Sequence, residues 1–183
     1  SEVCEFDAAK AVFDEQLQFL RSKKKQVPDA IHYGAMLEVP ALAEMLDLLL
    51  PKLSFLSVGT NDLTQFLFAA DRANPMLAQR YDWLSRPIIR FLSRVTRDTA
   101  GSDTSVGVCG EMGGRRLEAL ALLGIGFRRL SITPAAVGPI KELVCKVDLA
   151  ELEAAMEQFL ADPAINLRHA LGEWAAERGI EFD

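Results

Sequence analysis

The sequence predicts an α/β fold in which helices alternate with the parallel strands of one sheet. Three observations support this prediction. Short apolar segments recur along the chain as continuous runs, without the alternation of apolar and polar residues that marks a half-exposed strand. Amphipathic helical patterns separate these segments. Two of the segments lead into a proline suited to the first turn of a helix, as expected where a buried strand passes directly into a helix.

The strands and helices of the sheet region follow one another in regular order. Four strands are predicted, at residues 31–39, 53–58, 105–109 and 128–132. The helices between them are predicted at 41–50, from Asp62, from about Pro87 and at 117–123. Asp62 and Gln65 have the spacing of a capping box at the start of the second of these helices. The fourth strand leads into Thr133 and Pro134, which suit a helix cap and first turn.

Further helices are predicted at both ends of the chain. Apolar residues recur every three or four positions over 2–24, which predicts a helix with one buried stripe and Ser1 as its N-cap. The last part of the chain predicts two short amphipathic helices separated by Asp162-Pro163 and ending at Gly179. We therefore expect an α/β domain over 1–146 and a helical extension over 147–183 that packs on it.

Composition and charge exclude several classes of protein. The 183 residues are 50% hydrophobic and carry a net charge of −6, which fits a folded domain and gives no electrostatic support for nucleic-acid binding. Three widely spaced cysteines suggest neither a disulfide framework nor a zinc site, so a cytoplasmic location is predicted. No apolar stretch approaches the ~20 residues of a membrane span. The first residue is serine, so we expect a processed chain or a fragment.

Polar residues stand where the predicted strands end. Glu38 lies at the end of the first predicted strand, Asn61 and Asp62 follow the second, and Cys109 ends the third. The carboxyl ends of parallel strands meet at one edge of a sheet, so these side chains are expected to lie together. Two carboxylates without a histidine suit Mg²⁺, which makes Glu38 and Asp62 candidate metal ligands. On spacing alone, the alternative stays open that Glu38 pairs with an arginine and Asp62 only caps its helix.

Two further candidates also have ordinary alternatives. A cysteine at a strand end, such as Cys109, is often a small buried apolar residue. Gly110 beside it permits close approach of a ligand, and a nearby cation would tune its thiol. Arg72 suits phosphate binding through its planar guanidinium, and equally suits a surface ion pair. His32 and His169 lie away from this edge and are assigned no role.

Four ordered segments resemble the C-terminal barrel domain of the phosphoenolpyruvate-utilising enzymes. They are Gly34-Ala-Met-Leu-Glu-Val-Pro40, Ser57-Val-Gly-Thr-Asn-Asp-Leu-Thr-Gln65, Ala70-Asp-Arg-Ala-Asn74 and Gly107-Val-Cys-Gly-Glu-Met112. A lone Gly-Thr-Asn-Asp would be weak, but these segments together, spread over about 34–140, are highly specific. The segment 71–74 resembles enzyme I of the bacterial phosphotransferase system, and 131–140 is most similar to its nitrogen-related paralogue.

The resemblance implies a fold, an activity and a set of roles. The fold is a (β/α)8 TIM barrel, of which this chain would form the C-terminal half with about four β/α units. The activity is that of a phosphoenolpyruvate-protein phosphotransferase, in which phosphoenolpyruvate phosphorylates a histidine that then phosphorylates a phosphocarrier protein. Glu38 and Asp62 would bind Mg²⁺, and Asn61, Asp62 and Arg72 would bind substrate. Cys109 would protonate the enolate carbon to give pyruvate, since a thiol is a proton donor at neutral pH.

The same resemblance implies that parts of the enzyme lie outside this chain. These are the first half of the barrel, with two phosphate-binding arginines, and the domain that carries the phosphorylated histidine. The isolated chain is therefore expected to lack full activity. An open half-barrel exposes strand edges and apolar surface, which predicts a homo-oligomer, most simply a homodimer.

Two alternatives remain beside this hypothesis. The chain could come from another enzyme of the superfamily, a pyruvate phosphate dikinase or a phosphoenolpyruvate synthase, which a nucleotide-binding domain upstream would identify. It could also be a catalytically silent regulatory or dimerisation module that retains the residues at the strand ends.

Overall fold

Three parallel strands form the sheet at the centre of the fold. The computed structural model describes residues 2–78 and 82–182. Within them the strands are β1 (Gly34–Leu37), β2 (Phe55–Gly59) and β3 (Ser105–Cys109), and they lie side by side in chain order. The register pairs Leu37 with Val58, and Val58 with Val108. The predicted α/β fold with a parallel sheet is confirmed.

Helices make up most of the rest of the described chain. The α-helices are α1 (Val3–Ser22), α2 (Pro40–Ala43), α3 (Leu46–Leu49), α4 (Thr60–Phe68), α5 (Pro75–Ala78), α6 (Arg86–Asp98), α7 (Arg116–Gly124), α8 (Pro134–Cys145), α9 (Leu149–Ala161) and α10 (Leu167–Ala176). Two short 3₁₀ helices span Leu50–Lys52 and Glu111–Gly114. Among the helices of the described residues, none combines the length and apolar character that a membrane crossing requires.

The two faces of the sheet differ in exposure. Side chains alternate between faces along a strand, so residues in register share a face. One face carries buried apolar side chains, including Leu37, Val58 and Val108, that pack in the core. On the other face Met36 is 48% exposed and Phe55 is 44% exposed. We call this second face, defined by Gly34, Met36, Phe55, Ser57, Gly59, Ser105, Gly107 and Cys109, the open face.

The last two helices share the core of the sheet region. Gly124 at the end of α7 allows close contact with α9, because a Cβ added there would lie 2.5 Å from Met156 Cγ. Leu152, Leu171 and Trp174 are buried in the same hydrophobic cluster as the strands. The predicted tail helices are confirmed, and they pack against the helices that cover the sheet.

The predicted fourth strand is wrong as a strand. Residues 128–132 form a single parallel bridge to β3, between Val108 and Leu130. The Val108 N–H donates to Arg129 O (2.9 Å), and the Ser131 N–H donates to Val108 O (2.8 Å). The segment thus lies beside β3 over one bridge only, because the chain turns into α8 at Pro134 soon afterwards.

Several predicted boundaries also shift. Residues 41–50 form two four-residue helices, α2 and α3, where one helix was predicted. The predicted capping box of Asp62 and Gln65 is wrong, because α4 already begins at Thr60 and its N-cap is Gly59, which has no side chain. Ser1, predicted to cap α1, lies outside the described residues, and Glu2 occupies the N-cap position.

Candidate functional site

Three residues at the carboxyl ends of the strands lie next to one another on the open face. Gly59 ends β2 and is in register with Cys109, which ends β3. Glu38 follows β1, and its side chain crosses Gly59: a Cβ added at Gly59 would lie 2.6 Å from Glu38 Cγ and 2.8 Å from Oε1. Glu38 and Cys109 therefore flank Gly59, as the prediction of converging strand ends requires.

Hydrogen bonds join the loop after β3 to the start of α4. The Thr60 hydroxyl donates to Cys109 O (3.0 Å), and the Glu111 N–H donates to Asn61 Oδ1 (3.2 Å). Gly110 lies between these bonds with a φ of 99°, and a Cβ there would lie 2.7 Å from Thr60 Oγ1. A side chain at this position would be strained and crowded. Because the Asn61 carbonyl oxygen accepts this bond, the N–H donors of its amide are directed elsewhere, available to a ligand.

Asp62 and Arg72 lie at the exposed side of α4. Their side chains form an ion pair with an Nη2 to Oδ1 distance of 3.4 Å, and both are partly exposed. The Arg72 N–H donates to Gln65 Oε1 (3.1 Å), which fixes the loop after α4 to the helix. Asp62 does not cap α4, but its carboxylate lies in the first turn, where the positive end of the helix dipole stabilises a negative charge. An anionic ligand would compete with Asp62 for the guanidinium.

By donor type alone, Glu38 and Asp62 suit a magnesium ion that other ligands would complete. Within 2–78 and 82–182, Glu38 has no ion pair with an arginine, so the structural alternative proposed for it is not observed. The described residues contain no group of three His, Cys, Asp or Glu side chains able to hold a metal. Mg²⁺ commonly takes one or two carboxylates and fills its other positions with water and substrate oxygens. Glu38 and Asp62 match that donor set.

A pocket of about 320 Å³ opens beside these residues. Its lining combines predicted and unpredicted side chains: Asn61, Thr64, Arg72, Trp83, Glu111, Arg115, Glu118 and Arg168. Asn61 and Arg72 were predicted from the sequence, whereas Arg168 comes from α10 at the far end of the chain. Glu38, Asp62 and Cys109 do not line this pocket, so it adjoins the strand ends and does not enclose them.

One wall of the pocket is a charged network centred on Arg168. Its guanidinium donates to Glu118 Oε1 (2.7 Å) and to both oxygens of Asp82 (2.7 and 3.2 Å). The hydrogen bond to Asp82 is the largest influence that raises the pKa of Arg168. Burial alone would raise the pKa of the Asp82 carboxyl, but the bonds from Arg168 and from the Leu84 N–H hold it below its ordinary value. Arg168 is thereby kept charged and bound to both carboxylates.

A larger groove lies elsewhere, between α6 and α9. It measures about 850 Å³, and its walls carry Arg90 and Arg97 on one side and Glu153 and Glu157 on the other. None of the residues singled out at the strand ends lines it. Size alone therefore does not locate the site, since the chemistry expected at parallel strand ends is found beside the smaller pocket.

Most of the chain matches a known protein family. Residues 1–149 match the family described as PEP-utilising enzyme, PEP-binding domain. The chain belongs to this family. The match includes the three strands and every residue proposed at their ends, from Glu38 to Cys109.

Curated proteins similar to this chain carry related names. The chain is 39% identical over 141 residues to a phosphoenolpyruvate-protein phosphotransferase of Borreliella burgdorferi, an alignment that covers 77% of this chain and 25% of that protein. It is 34% identical over 175 residues to an Escherichia coli protein named phosphoenolpyruvate-dependent phosphotransferase system, covering 91% of this chain and 23% of that protein. A phosphoenolpyruvate-protein phosphotransferase of Cupriavidus necator is 34% identical over 154 residues, or 80% and 26% of the two chains.

The chain thus spans about a quarter of the length of these relatives. The family confirms the resemblance predicted from the sequence, whereas the finer similarity to the nitrogen-related paralogue stays a prediction. Sequence reasoning missed Trp83, Arg115, Glu118 and Arg168. They belong to no motif, and their contacts with one another and with Asp82 join positions 32 to 86 residues apart.

Proposed function

We propose that this chain supplies the phosphoenolpyruvate-binding part of a phosphoenolpyruvate-protein phosphotransferase. The observation that carries the proposal is the row of Glu38, Gly59 and Cys109 at the carboxyl ends of adjacent strands, with Asn61 following directly. Such a row places a carboxylate, a thiol and an amide along one edge of the open face, where parallel α/β folds bind their ligands. Membership of the PEP-binding family supports the same substrate.

Each residue has a role in this proposal. Glu38 and Asp62 would hold Mg²⁺, which when bound offsets the negative charge of the substrate and of the phosphoryl group in transfer. Arg72 would exchange its exposed ion pair with Asp62 for the phosphate, to which its planar guanidinium can donate two hydrogen bonds. Asn61 would donate to the same group from its amide. The Glu111 N–H donates to the Asn61 side chain and the Thr60 hydroxyl donates to Cys109 O, which holds Asn61 beside the end of β3.

Cys109 would act as the proton donor. When the phosphoryl group leaves the enol oxygen for a histidine, the enolate that remains takes the thiol proton at its methylene carbon and becomes the methyl group of pyruvate. The backbone of Cys109 is fixed by the Thr60 hydroxyl, and its side chain is half-buried, so the thiol is held beside the strand ends.

The finer features of the enzyme belong to the same proposal. We infer a complete (β/α)8 barrel in the whole protein, with 1–146 as its C-terminal part and 147–183 as the helical extension. The phosphorylated histidine and the phosphocarrier protein would be contributed from outside this chain, in the cytoplasm. In the isolated chain, where the rest of the barrel is missing, the exposed Met36 and Phe55 support a homodimer, and light scattering that shows only a monomer at ~0.1 mM would contradict it.

Calorimetry with Mg²⁺ and oxalate, a mimic of the enolate, tests the proposed function. The wild-type chain should release or absorb heat on titration with oxalate at millimolar concentration in the presence of Mg²⁺. Asp62→Asn should lose this heat, because one of two carboxylate ligands is removed. Cys109→Ala should retain it, because the thiol gives a proton and does not hold the metal.

The control for this experiment is Asp103→Asn, which changes an exposed aspartate in the loop before β3. It should bind oxalate as the wild type does. Absence of any heat for the wild-type chain, or equal binding by Asp62→Asn and wild type, would contradict the proposed function.

A further inference from the structure

The segment that leads into α6, residues 82–86, is bound to the C-terminal helices at both of its ends. At one end, Asp82 receives two hydrogen bonds from Arg168 of α10. At the other end, the Arg86 guanidinium donates to four backbone oxygens around the end of α9, those of Phe159, Leu160, Asp162 and Ile165, at 2.6–3.0 Å. Arg86 of the segment thus binds the helical tail, and Arg168 of the tail binds the segment.

Trp83 lies between these two attachments and forms part of the pocket wall. The Arg115 guanidinium lies over its ring, 4.5 Å from the centroid. The N–H of Leu84 donates to Asp82 Oδ1 (2.9 Å), so the carboxylate that Arg168 holds also sets the turn around Trp83. The position of the indole therefore depends on the contact between Arg168 and Asp82.

The second carboxylate bound by Arg168 comes from a different element of the fold. Glu118 is in α7, only 4% exposed, and its oxygen lies 2.7 Å from Arg168 Nη2. A buried carboxylate needs a partner of opposite charge, and within the described chain Arg168 is the only ion-pair partner of Glu118. Arg168 consequently joins α7 to the segment before α6, and both contribute residues to the pocket lining.

We propose that Arg168 is a positioning residue of the site, through which the helical tail fixes Trp83 and Arg115 beside the residues that bind the substrate. The inference rests on the proposed function for its ligand, but the placement of Trp83 can be measured without any ligand. Arg168 does not touch the strand ends, so its effect on binding would be exerted through the pocket wall.

The test compares Arg168→Met with Arg178→Met in a Trp174→Phe background, in which Trp83 is the only tryptophan. Arg178 follows the same helix and pairs with Glu151, but it does not line the pocket. Acrylamide quenching of Trp83 fluorescence should rise in Arg168→Met and stay unchanged in Arg178→Met. The affinity for Mg²⁺ and oxalate should fall about tenfold in Arg168→Met alone, the lower end of the effect of losing a supporting contact.

A third variant separates positioning from folding. Arg168→Met leaves Glu118 buried without a cation, whereas Glu118→Gln combined with Arg168→Met removes that charge while Asp82 still lacks its partner. If Arg168 positions the segment, Trp83 stays more accessible in this double variant. Quenching equal to wild type in Arg168→Met, or restored to wild type in the double variant, would overturn the proposal. A wild-type chain that binds no oxalate would contradict the proposed function, while the quenching result would still decide the role of Arg168.

Discussion

At the scale of the residue, the absence of a side chain at Gly59 matters as much as the groups around it. Glu38 can cross the end of β2 only because position 59 has no Cβ, since an added Cβ would lie within 3 Å of Glu38 Cγ and Oε1. Real Cβ atoms do not approach that closely, so any larger residue would push the carboxylate away. The register then brings Cys109 to the other side of the same glycine.

Gly59→Ala is therefore expected to displace Glu38 and weaken binding of Mg²⁺ and oxalate by about tenfold or more. Crowding should also destabilise the chain by about 1–3 kcal/mol. Gly172→Ala in α10 is the matched control, because no described atom outside its own helix backbone and chain neighbours lies within 4 Å of the added Cβ, and the residue that follows is Glu173. It should raise the free energy of unfolding by about 0.5–1 kcal/mol and leave binding unchanged. Calorimetry and urea unfolding measure both effects, and unaltered affinity in Gly59→Ala would contradict the geometry described.

Much of this site could be predicted residue by residue from the sequence. Glu38, Asn61 and Cys109 each stand where an apolar run ends, and parallel strands bring such positions together. The crossing of Gly59 by Glu38 could not be predicted, because it depends on the register between β1 and β2. A surface ion pair of Arg72 was one of two alternatives, but its partner Asp62 was not predicted, because an exposed pair of this kind leaves no pattern in the sequence.

At the scale of the element, the tail helices and the segment before α6 hold each other. Arg86 of the segment donates to backbone oxygens of the tail, and Arg168 of the tail donates to Asp82 of the segment. These two contacts explain how a segment with little regular structure keeps a defined place in the pocket wall. Helices α9 and α10 were predicted from amphipathic periodicity, which reports that a helix buries one face. Periodicity does not report which polar residue reaches across to another element, and so Arg168 was missed.

Acid should weaken this contact in a defined direction. The pKa of Asp82 is held below its ordinary value, so the carboxylate stabilises the fold above the ordinary value of about 3.9, and this contribution is lost as the pH falls through the lower folded-state pKa. The difference in free energy of unfolding between wild type and Asp82→Asn should therefore be larger at about pH 5 than at about pH 2. Urea unfolding at both values measures it.

The control for the acid experiment is Asp98→Asn, which changes an exposed aspartate at the end of α6. Its difference from wild type should vary less with pH than that of Asp82→Asn. A difference for Asp82→Asn that stays constant between the two pH values would show that Asp82 does not stabilise the fold through its charge.

At the scale of the whole molecule, the sheet is covered on one face and open on the other. The neighbouring residues Met36 and Leu37 show this difference, because Leu37 is buried on the covered face and Met36 is exposed on the open face. The fold class followed from the sequence because buried parallel strands are continuous apolar runs. The predicted fourth strand failed because the sequence of residues 128–132 does not reveal how many ladder bonds form before the chain turns, and here Pro134 begins α8 after a single bridge.

The open face also defines what the rest of a phosphotransferase would have to supply. The row at the strand ends offers carboxylates, a thiol and an amide, with one arginine close by, whereas the phosphoryl acceptor has no candidate in this row. A chain that holds ligand-binding groups but no phosphoryl acceptor is what we expect of one that spans about a quarter of its relatives' length and belongs to the PEP-binding family. The central claim is thus that metal and substrate are held at the carboxyl ends of β1, β2 and β3.

Nuclear magnetic resonance with Mn²⁺ in place of Mg²⁺ tests this claim most directly, because Mn²⁺ takes the same oxygen ligands and broadens the signals of nearby amides. In the presence of oxalate, broadening should be strongest at Glu38, from Gly59 to Asp62, and at Gly110. The same titration of Asp62→Asn should require more Mn²⁺ for equal broadening. Strongest broadening at the acidic residues of α9, such as Glu153 and Glu157, would contradict the account.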